Sequence, residues 1–360
     1  MKKITITREI DDWAQEYCKA LKYKSNQHDE IAISCRMLSE LKDDIQKGRY
    51  KVEGVNEEER GDESINEGKD KLIKYIEKIR QEYETLLTTH PKSFNQLIGE
   101  FELIIKKERI DKIKLVDAAD GKTEWFYDNI VRCMRYSYIQ SDVFPEYVRR
   151  LGIKTCVYCN AQYAITTENE GMDSLYELDH CLPKSKYPYL SANFFNLQPC
   201  CGPCNRKKLA NDMMYGDYFA TIWREEGDMT KDDFFFHLKD ESIAKYLTDY
   251  RRTDIDIEFK VREDAPEEVI CLYNDYCKYF RIKGLYREHK DVAEELLWKK
   301  YTYNKALVQS LKDAFGSKAS ITEQDVKRLI MGYYMDEHDV YKRPLSKMVQ
   351  DVARQLHIDI

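Results

Sequence analysis

The sequence predicts a mostly α-helical protein that carries a small α+β insertion between two helical regions. Apolar residues recur at helical spacing before residue 150 and again after residue 212, as in amphipathic helices. Between these regions the composition changes to a segment rich in Cys, Asn, Pro, Tyr and Phe. At 360 residues the chain is long enough for more than one packed unit. We therefore expect an N-terminal region over 1–150, a central module over 151–212 and a C-terminal region over 213–360.

The N-terminal region is predicted to be mostly helical around one acidic loop. Thr7 can cap a first helix. The apolar face of that helix would contain Ile10, Trp13, Ala14, Tyr17 and Leu21. The stretch near 47–68 has no hydrophobic periodicity and a dense acidic run, so we interpret it as a surface loop with solvated acids. A long amphipathic helix is expected over 72–87, and no catalytic motif occurs in this region.

The C-terminal region is predicted to be helical as well. One helix face would be formed by Val269, Leu272, Tyr276 and Phe280. A second set at roughly helical spacing comprises Val292, Leu296, Leu307 and Leu311. A last amphipathic segment runs over 345–356. Neither this region nor the first contains an internal repeat.

The overall charge and hydropathy exclude some classes of protein. A formal net charge of −7 argues against a protein that covers nucleic acid with its whole surface, although it leaves room for a local basic patch. No apolar run approaches about 18 residues, so we expect no membrane-spanning helix. The first residues become polar before a signal-peptide core could form. A cytoplasmic protein without membrane contact is therefore expected.

Eleven cysteines are many for a reduced compartment, and six of them fall between Cys156 and Cys204. Cys156 and Cys159 form one C-x2-C pair, and Cys201 and Cys204 form another. Two such pairs supply four soft thiolates, which suit tetrahedral zinc. The alternative is four ordinary buried cysteines. Cys200 could replace Cys201 as a ligand, but Cys201 gives the regular two-residue spacing.

Polar residues of three kinds lie between and just after the cysteine pairs. Asp179 and His180 end a strand-like LYELDH, and Asn196 starts a second apolar piece, NLQPC. Asn205 follows the last cysteine, where Pro203 suits the start of a helix. A neutral histidine is a suitable general base near neutral pH, and carboxylate and amide oxygens are the ligands that Mg²⁺ prefers.

Together these residues resemble the HNH nuclease family, specifically its zinc-braced ββα-metal branch. The matching pattern is C-x2-C, then x-E-x-D-H-x-x-P-K-S, then N-L, then C-x2-C-N-x-x-K, and it covers about 55 residues. The segment is also similar to HNH proteins of bacterial antiphage systems of the Septu type, in which the nuclease is paired with an ATPase. The resemblance implies a ββα-metal (HNH) module with a structural four-cysteine zinc site. It also implies that the chain hydrolyses DNA in a defence or restriction system, with RNA not excluded.

The resemblance also implies a role for each polar residue. His180 would be the general base, and Asp179 and Asn205 would hold the catalytic Mg²⁺ or Mn²⁺. Asn196 is the central asparagine of the catalytic set, expected to hold the two strands together rather than touch the metal. Glu177 could support the site. The family name places a second histidine where this chain has Asn205, which still offers an oxygen to the metal.

The module is locally basic although the chain is acidic. Between Cys181 and Asn211 there is no acidic residue. The basic residues, predicted to contact nucleic-acid phosphates, are Lys184, Lys186, Arg206, Lys207 and Lys208. Four aromatic residues could stack on bases but are expected to fill the small core, namely Tyr187, Tyr189, Phe194 and Phe195. Cys181 is predicted to be a packing residue.

Two alternatives to the nuclease hypothesis remain. The chain could be a zinc-stabilised module that binds nucleic acid without catalysis, or a subunit whose helical arms dock a partner such as an ATPase. A binding module would need the cysteines and the lysines, but not Asp179, His180 and Asn205 in this order. Their joint presence favours the enzyme.

Overall fold

The computed structural model describes residues 2–23, 32–55, 62–168, 172–228, 232–303 and 322–358, together with 306, 309, 310, 313 and 314. Helices predominate in these residues, and the strands form six small sheets of two or three strands each. The prediction that helices predominate is therefore confirmed, whereas the small sheets are not confined to the central module. Among the described residues, no helix has the length and apolarity needed to cross a membrane.

The first 150 residues form a helical assembly with one small sheet. Its helices are α1 (Arg8–Tyr23), α2 (Ile33–Gln46), α3 (Asp62–Gln81), α4 (Tyr83–Thr88), α5 (Phe94–Glu102), α6 (Lys107–Ile110), α7 (Phe126–Cys133), α8 (Tyr136–Tyr138) and α9 (Phe144–Arg150). A π-helical turn, Ile139–Val143, joins α8 to α9. The strands are β1 (Ile4–Thr5), β2 (Tyr50–Glu53), β3 (Lys114–Asp117) and β4 (Thr123–Trp125).

The predicted acidic loop near 47–68 is only partly a loop. Residues 50–53 form β2, which pairs antiparallel with β3, and residue 62 already belongs to α3. The prediction failed here because β2 is stabilised by a partner strand more than 60 positions away, which local periodicity cannot reveal. Residues 56–61 lie outside the described part of the chain.

The central module contains two hairpins and one short helix. Its elements are β5 (Ile165–Glu168), β6 (Met172–Leu175), β7 (Glu177–His180), β8 (Leu197–Cys200) and α10 (Gly202–Lys208). Strands β7 and β8 pair antiparallel, so that Asp179 lies opposite Gln198 and His180 opposite Leu197. The predictions that Asp179 and His180 end a strand and that a helix begins near Pro203 are confirmed.

Beyond residue 212, helices alternate with short strands. The strands are β9 (Met214–Tyr215), β10 (Tyr218–Phe219), β11 (Trp223–Arg224), β12 (Phe234–Leu238) and β13 (Ile257–Val261). The helices are α11 (Asp240–Asp249), α12 (Glu267–Tyr279), α13 (Ile282–Arg287), α14 (Lys290–Thr302), α15 (Glu323–Met331) and α16 (Ser346–Gln355). The predicted face of α12 is buried at Val269, Leu272 and Tyr276. Leu307 and Leu311 lie outside the described residues.

The sheet β12–β13 was not predicted from the sequence. The side chains of β12 alternate between buried and half-buried positions, as expected for a strand with one face against the core. Its other contacts come from the far end of the chain, because Asp351 Oδ2 and Gln355 Oε1 of α16 accept backbone N–H groups of Phe236 and Leu238.

The segment between β7 and β8 packs into the N-terminal helices. The Tyr17 hydroxyl of α1 donates to the carbonyl oxygen of Ala192 at 2.7 Å, and Phe101 of α5 stacks on Tyr189 with ring centroids 3.8 Å apart. The four aromatic residues predicted to fill the core, Tyr187, Tyr189, Phe194 and Phe195, are all buried, as is Cys181. Buried apolar residues of all three regions belong to one continuous cluster. The boundaries at 150 and 212 stay predictions.

Asn160 connects the first cysteine pair to the C-terminal region. Its Nδ2 donates to the Val340 carbonyl oxygen at 3.0 Å and to Thr155 Oγ1 at 2.9 Å. Its Oδ1 accepts the backbone N–H of Lys347 at 2.9 Å. The residue is fully buried and has a left-handed backbone with φ of 50°. The side chain therefore satisfies buried polar groups that have no access to water.

We predict that Asn160→Gly destabilises the protein although it relaxes the backbone. Glycine accepts the positive φ but leaves Val340 O and Lys347 N without their buried partner, which should cost about 2 kcal/mol of unfolding free energy. Urea unfolding measures this change. The matched control is Tyr250→Gly at an exposed residue with φ of 56°, which should be neutral or stabilising. Equal stability of Asn160→Gly and wild type would contradict the bridging role.

Candidate active site and cysteine cluster

Cys156, Cys159, Cys201 and Cys204 come together in the folded chain. Their sulfur atoms all lie within 4.8 Å of one another, and all four residues are buried. The first pair sits in a tight turn in which Asn160 N donates to the Cys156 carbonyl oxygen at 2.8 Å. The second pair lies where β8 meets α10, and Cys204 N and Asn205 N both donate to the Cys201 carbonyl oxygen.

This cluster has the donor set of a structural metal site. Four buried thiols close together could bind a metal such as zinc, which prefers four sulfur ligands in tetrahedral arrangement. Hydrogen bonds from the neighbouring thiols lower the pKa of Cys201, whereas burial raises that of Cys156. Cys200 lies outside the cluster, and its Sγ is 3.5 Å from the Glu177 carbonyl oxygen. The geometry thus places Cys201, and not Cys200, with the other three cysteines.

The hairpin β7–β8 and helix α10 form one wall of a pocket of about 620 Å³. Predicted residues that line it are Glu177, Asp179, His180, Lys184 and Asn205. The N-terminal region supplies the opposite side through residues that were not predicted, namely Tyr127, Asp128, Tyr136 and Gln140. Residues that are distant in sequence therefore share one concave site, as is typical of a ligand pocket.

His180 is held in one orientation inside this pocket. Its Nε2–H donates to the Ser191 carbonyl oxygen at 2.9 Å, and the Tyr136 ring packs against the imidazole at 4.5 Å. Burial lowers the pKa of His180 to about 3, and Lys184 and Lys208 act in the same direction. The ring is thus neutral near pH 7, and Nδ1 carries the free lone pair. No hydrogen bond joins Nδ1 to the described residues.

Asp179 is buried and anchored through one carboxylate oxygen. Its Oδ2 accepts the Tyr158 hydroxyl at 2.5 Å and lies 3.0 Å from Lys208 Nζ. Within the described residues, Oδ1 has no hydrogen-bond partner. Tyr158 lies between the two cysteines of the first pair, so the cysteine cluster and the pocket are joined through a single side chain.

Lys208 does not serve as the surface phosphate contact that was predicted. Its side chain is fully buried, and Nζ donates to the His180 carbonyl oxygen at 2.6 Å in addition to pairing with Asp179. A buried ammonium ion needs such partners because it has lost its hydration. Lys208 therefore fixes the end of β7 from within α10, which corrects the nucleic-acid-binding assignment of this residue.

Asn205 faces the pocket from the first turns of α10. Its Nδ2 donates to Glu177 Oε2 at 2.7 Å, so that Oδ1 remains as an acceptor with no partner among the described residues. Arg206 Nη1 lies 3.4 Å from Glu177 Oε1. Glu177 thus orients the amide of Asn205, which agrees with the supporting role expected for it.

Asn196 is not placed to act on a substrate. Its Oδ1 accepts the Leu182 N–H at 2.7 Å, and its Nδ2 donates to the carbonyl oxygens of Leu182 and Leu190. The residue is fully buried and does not line the pocket. We therefore correct its inclusion in the catalytic set: Asn196 closes the segment between β7 and β8, which is the holding role expected from the resemblance.

The other predicted basic residues occupy different surroundings. Lys184 lines the pocket with its ammonium 4.9 Å from the centre of the Tyr136 ring. Lys186 lies 3.4 Å from Asp212 Oδ2 and is thereby partly neutralised. Arg206 and Lys207 are exposed on α10. The five residues thus do not form one continuous strip.

Sequence reasoning missed the residues that position the site. The sequence points to Tyr158 only weakly, through its position between two predicted metal ligands. No sequence feature points to Tyr136, because it belongs to a region without any motif. Its hydroxyl donates to the Leu178 carbonyl oxygen at 2.5 Å, which places the ring at the site. Ser191 contributes only its backbone carbonyl group. Every residue has this group, so the residue type could not reveal the contact.

Comparisons with known proteins give one short similarity. No protein-family model and no solved structure matches the chain. A segment of 57 residues is 42% identical to the Septu protein PtuB of Bacillus thuringiensis. That segment is 16% of this chain and 20% of PtuB, so the chain matches about a fifth of this relative's length.

We predict that the purified chain carries about one zinc ion, as expected for four thiolate ligands in one cluster. Elemental analysis should show this stoichiometry retained in Cys200→Ser and lost in Cys201→Ser. The pair is matched, because the two cysteines are adjacent and both buried while only Cys201 belongs to the cluster. Metal loss from Cys200→Ser with full retention in Cys201→Ser would contradict the ligand assignment.

Proposed function

We propose that this chain is a metal-dependent HNH endonuclease that hydrolyses phosphodiester bonds of DNA. The observation that carries the proposal is the convergence of three groups in one pocket. They are a neutral His180 with its Nδ1 lone pair available, the Asp179 carboxylate and the Asn205 amide oxygen. The same groups occur in the sequence pattern that resembles the HNH family.

A catalytic Mg²⁺ or Mn²⁺ would be held by Asp179 and Asn205. The donor set fits a hard cation, because each residue keeps one oxygen without a hydrogen bond to the described residues. When bound, such a cation would neutralise the negative charge that develops on the leaving oxygen. Tyr158 and Lys208 both bind Asp179 Oδ2, so they leave Oδ1 as the oxygen available to the cation.

The chain's own groups have distinct tasks in this proposal. His180 accepts a proton from the attacking water at Nδ1, and the Ser191 carbonyl group keeps the opposite nitrogen protonated, which fixes the required tautomer. The Tyr136 ring limits rotation of the imidazole. Lys184 at the pocket wall can contact a substrate phosphate. A neutral histidine is essential, since an imidazolium ion cannot accept the proton.

A binding module without catalysis would not need this arrangement. Phosphate contacts require only exposed cations, whereas here a buried histidine is oriented by a backbone carbonyl group and placed beside two oxygen donors. We therefore favour the nuclease over the binding module. The partner-docking hypothesis concerns the helical regions and is compatible with either.

We further propose a role in antiphage defence, supported by the similarity to the Septu protein PtuB. In that role an ATPase would be the partner that activates or positions the nuclease. A restriction system is the alternative setting. A neighbouring gene for an ATPase would support defence, and one for a methyltransferase would support restriction.

We predict that the protein nicks plasmid DNA with Mg²⁺ or Mn²⁺ and that His180→Ala reduces the rate by at least about 100-fold, as expected for loss of a general base. Gel analysis of supercoiled plasmid measures the rate, with RNA tested in parallel. His338→Ala is the control, because His338 is exposed on the surface and lies outside the pocket. Equal nicking by wild type and His180→Ala would contradict the assignment of the base.

Cation binding gives a readout that does not depend on a partner protein. Mn²⁺ should bind wild type and His180→Ala with similar affinity, and Asn205→Ala should bind it at least several-fold more weakly because it removes one of the two oxygen donors. Titration calorimetry measures the affinities. Unchanged Mn²⁺ affinity in Asn205→Ala would contradict the proposed cation site, whether or not the chain cleaves DNA alone.

A further inference from the structure

A second groove, of about 460 Å³, lies against the cysteine cluster. Helix α10 lines it with Arg206 and Lys207, and the turn between α12 and α13 lines it with Tyr279 and Arg281. This turn belongs to the C-terminal region, for which the sequence analysis predicted no substrate contact. Neither Tyr279 nor Arg281 is part of the predicted site.

Cations are exposed along the rim of the groove. Three cations line it and no Asp or Glu residue does, while Cys159, Cys201 and Cys204 of the cysteine cluster form part of its wall. Lys207 and Arg281 are exposed and form no ion pair with the described residues. Arg206 is 68% exposed and shares its charge with Glu177 at 3.4 Å. In a chain of net charge −7, two exposed cations without an ion pair to the described residues, Lys207 and Arg281, favour a polyanionic ligand at the rim of the groove.

Arg281 occupies a costly backbone conformation. Its φ is 52°, in the left-handed region that a residue with a side chain adopts only at a cost of about 1 kcal/mol. Phe280 and Ile282 are buried on either side and hold the turn in place. Glycine would fit this position without strain, yet the chain has an exposed arginine there.

The groove adjoins the candidate active site. Glu177 lines the pocket and also binds Arg206, which lines the groove. Phe280 stacks on Tyr158 with centroids 4.6 Å apart, and the Tyr158 hydroxyl binds Asp179. Helix α10 lines both cavities, so a nucleic acid strand that enters the pocket would reach Arg281 by following this helix.

We propose that this groove binds the phosphate backbone of the substrate strand next to the cleavage site, with Lys207 and Arg281 as the principal contacts. The proposal rests on the proposed function and extends it by assigning part of the substrate path to the C-terminal region. The contacts are electrostatic, so binding through the groove is independent of base sequence and sensitive to salt.

The test measures binding of fluorescent DNA by anisotropy at several salt concentrations, in a His180→Ala background without added Mg²⁺. Arg281→Gly removes the charge and relaxes the backbone, so the variant should fold at least as well as its parent. Arg281→Gly and Lys207→Gln should each weaken binding. Each should also make the negative slope of log affinity against log salt less steep by about one. In the double variant the slope should become less steep by about two.

The matched control is Arg287→Gln. Arg287 is exposed on α13 and forms no ion pair with the described residues, but it does not line the groove, so the salt slope should stay unchanged. Parental affinity and slope in the double variant would overturn the proposal, as would a parent that binds neither DNA nor RNA. Unaffected binding by the double variant, together with faster nicking by wild type than by His180→Ala, would reject the groove alone. Lost binding by the double variant, together with equal nicking by wild type and His180→Ala, would keep the groove and reject His180 as the base.

Discussion

The arrangement of the candidate site depends on four cysteine sulfurs that lie within 4.8 Å of one another. They join two chain segments 42 positions apart, one before the hairpin β7–β8 and one directly after it. Closing this loop places Tyr158 of the first pair against Asp179, and it starts α10 where Asn205 and Lys208 reach the end of β7. A metal bound to the cluster would favour this closed geometry, because binding energy at such a site adds to the free energy of folding.

The flanking helical regions contribute to the site rather than merely enclosing it. Tyr136 of the N-terminal region packs on the imidazole of His180, and the Ser191 carbonyl group that binds the ring lies beside Ala192, which accepts the Tyr17 hydroxyl. The C-terminal region stacks Phe280 on Tyr158. These contacts give a physical reason why the buried apolar residues of all three regions form one cluster.

Features encoded locally in the sequence were predictable. The spacing of the two cysteine pairs identified the cluster, the alternation in LYELDH placed Asp179 and His180 at a strand end, and Pro203 marked the start of α10. Features that depend on distant partners were not. Lys208 has the residue type of a surface cation, and only the buried Asp179 carboxylate and His180 carbonyl group explain its position inside the molecule. The strand β2 and the groove residue Arg281 likewise depend on tertiary packing.

If the cysteine cluster organises the candidate active site, removing its metal should loosen the elements around that site. Hydrogen–deuterium exchange before and after removal of the metal by a chelator tests this role most directly. We expect the backbone amides of β7 and α10 to lose protection when the metal is removed, while those of β12 and β13, which pair with each other and bond to α16, stay protected. Unchanged protection of β7 and α10 after complete removal of the metal would contradict this role.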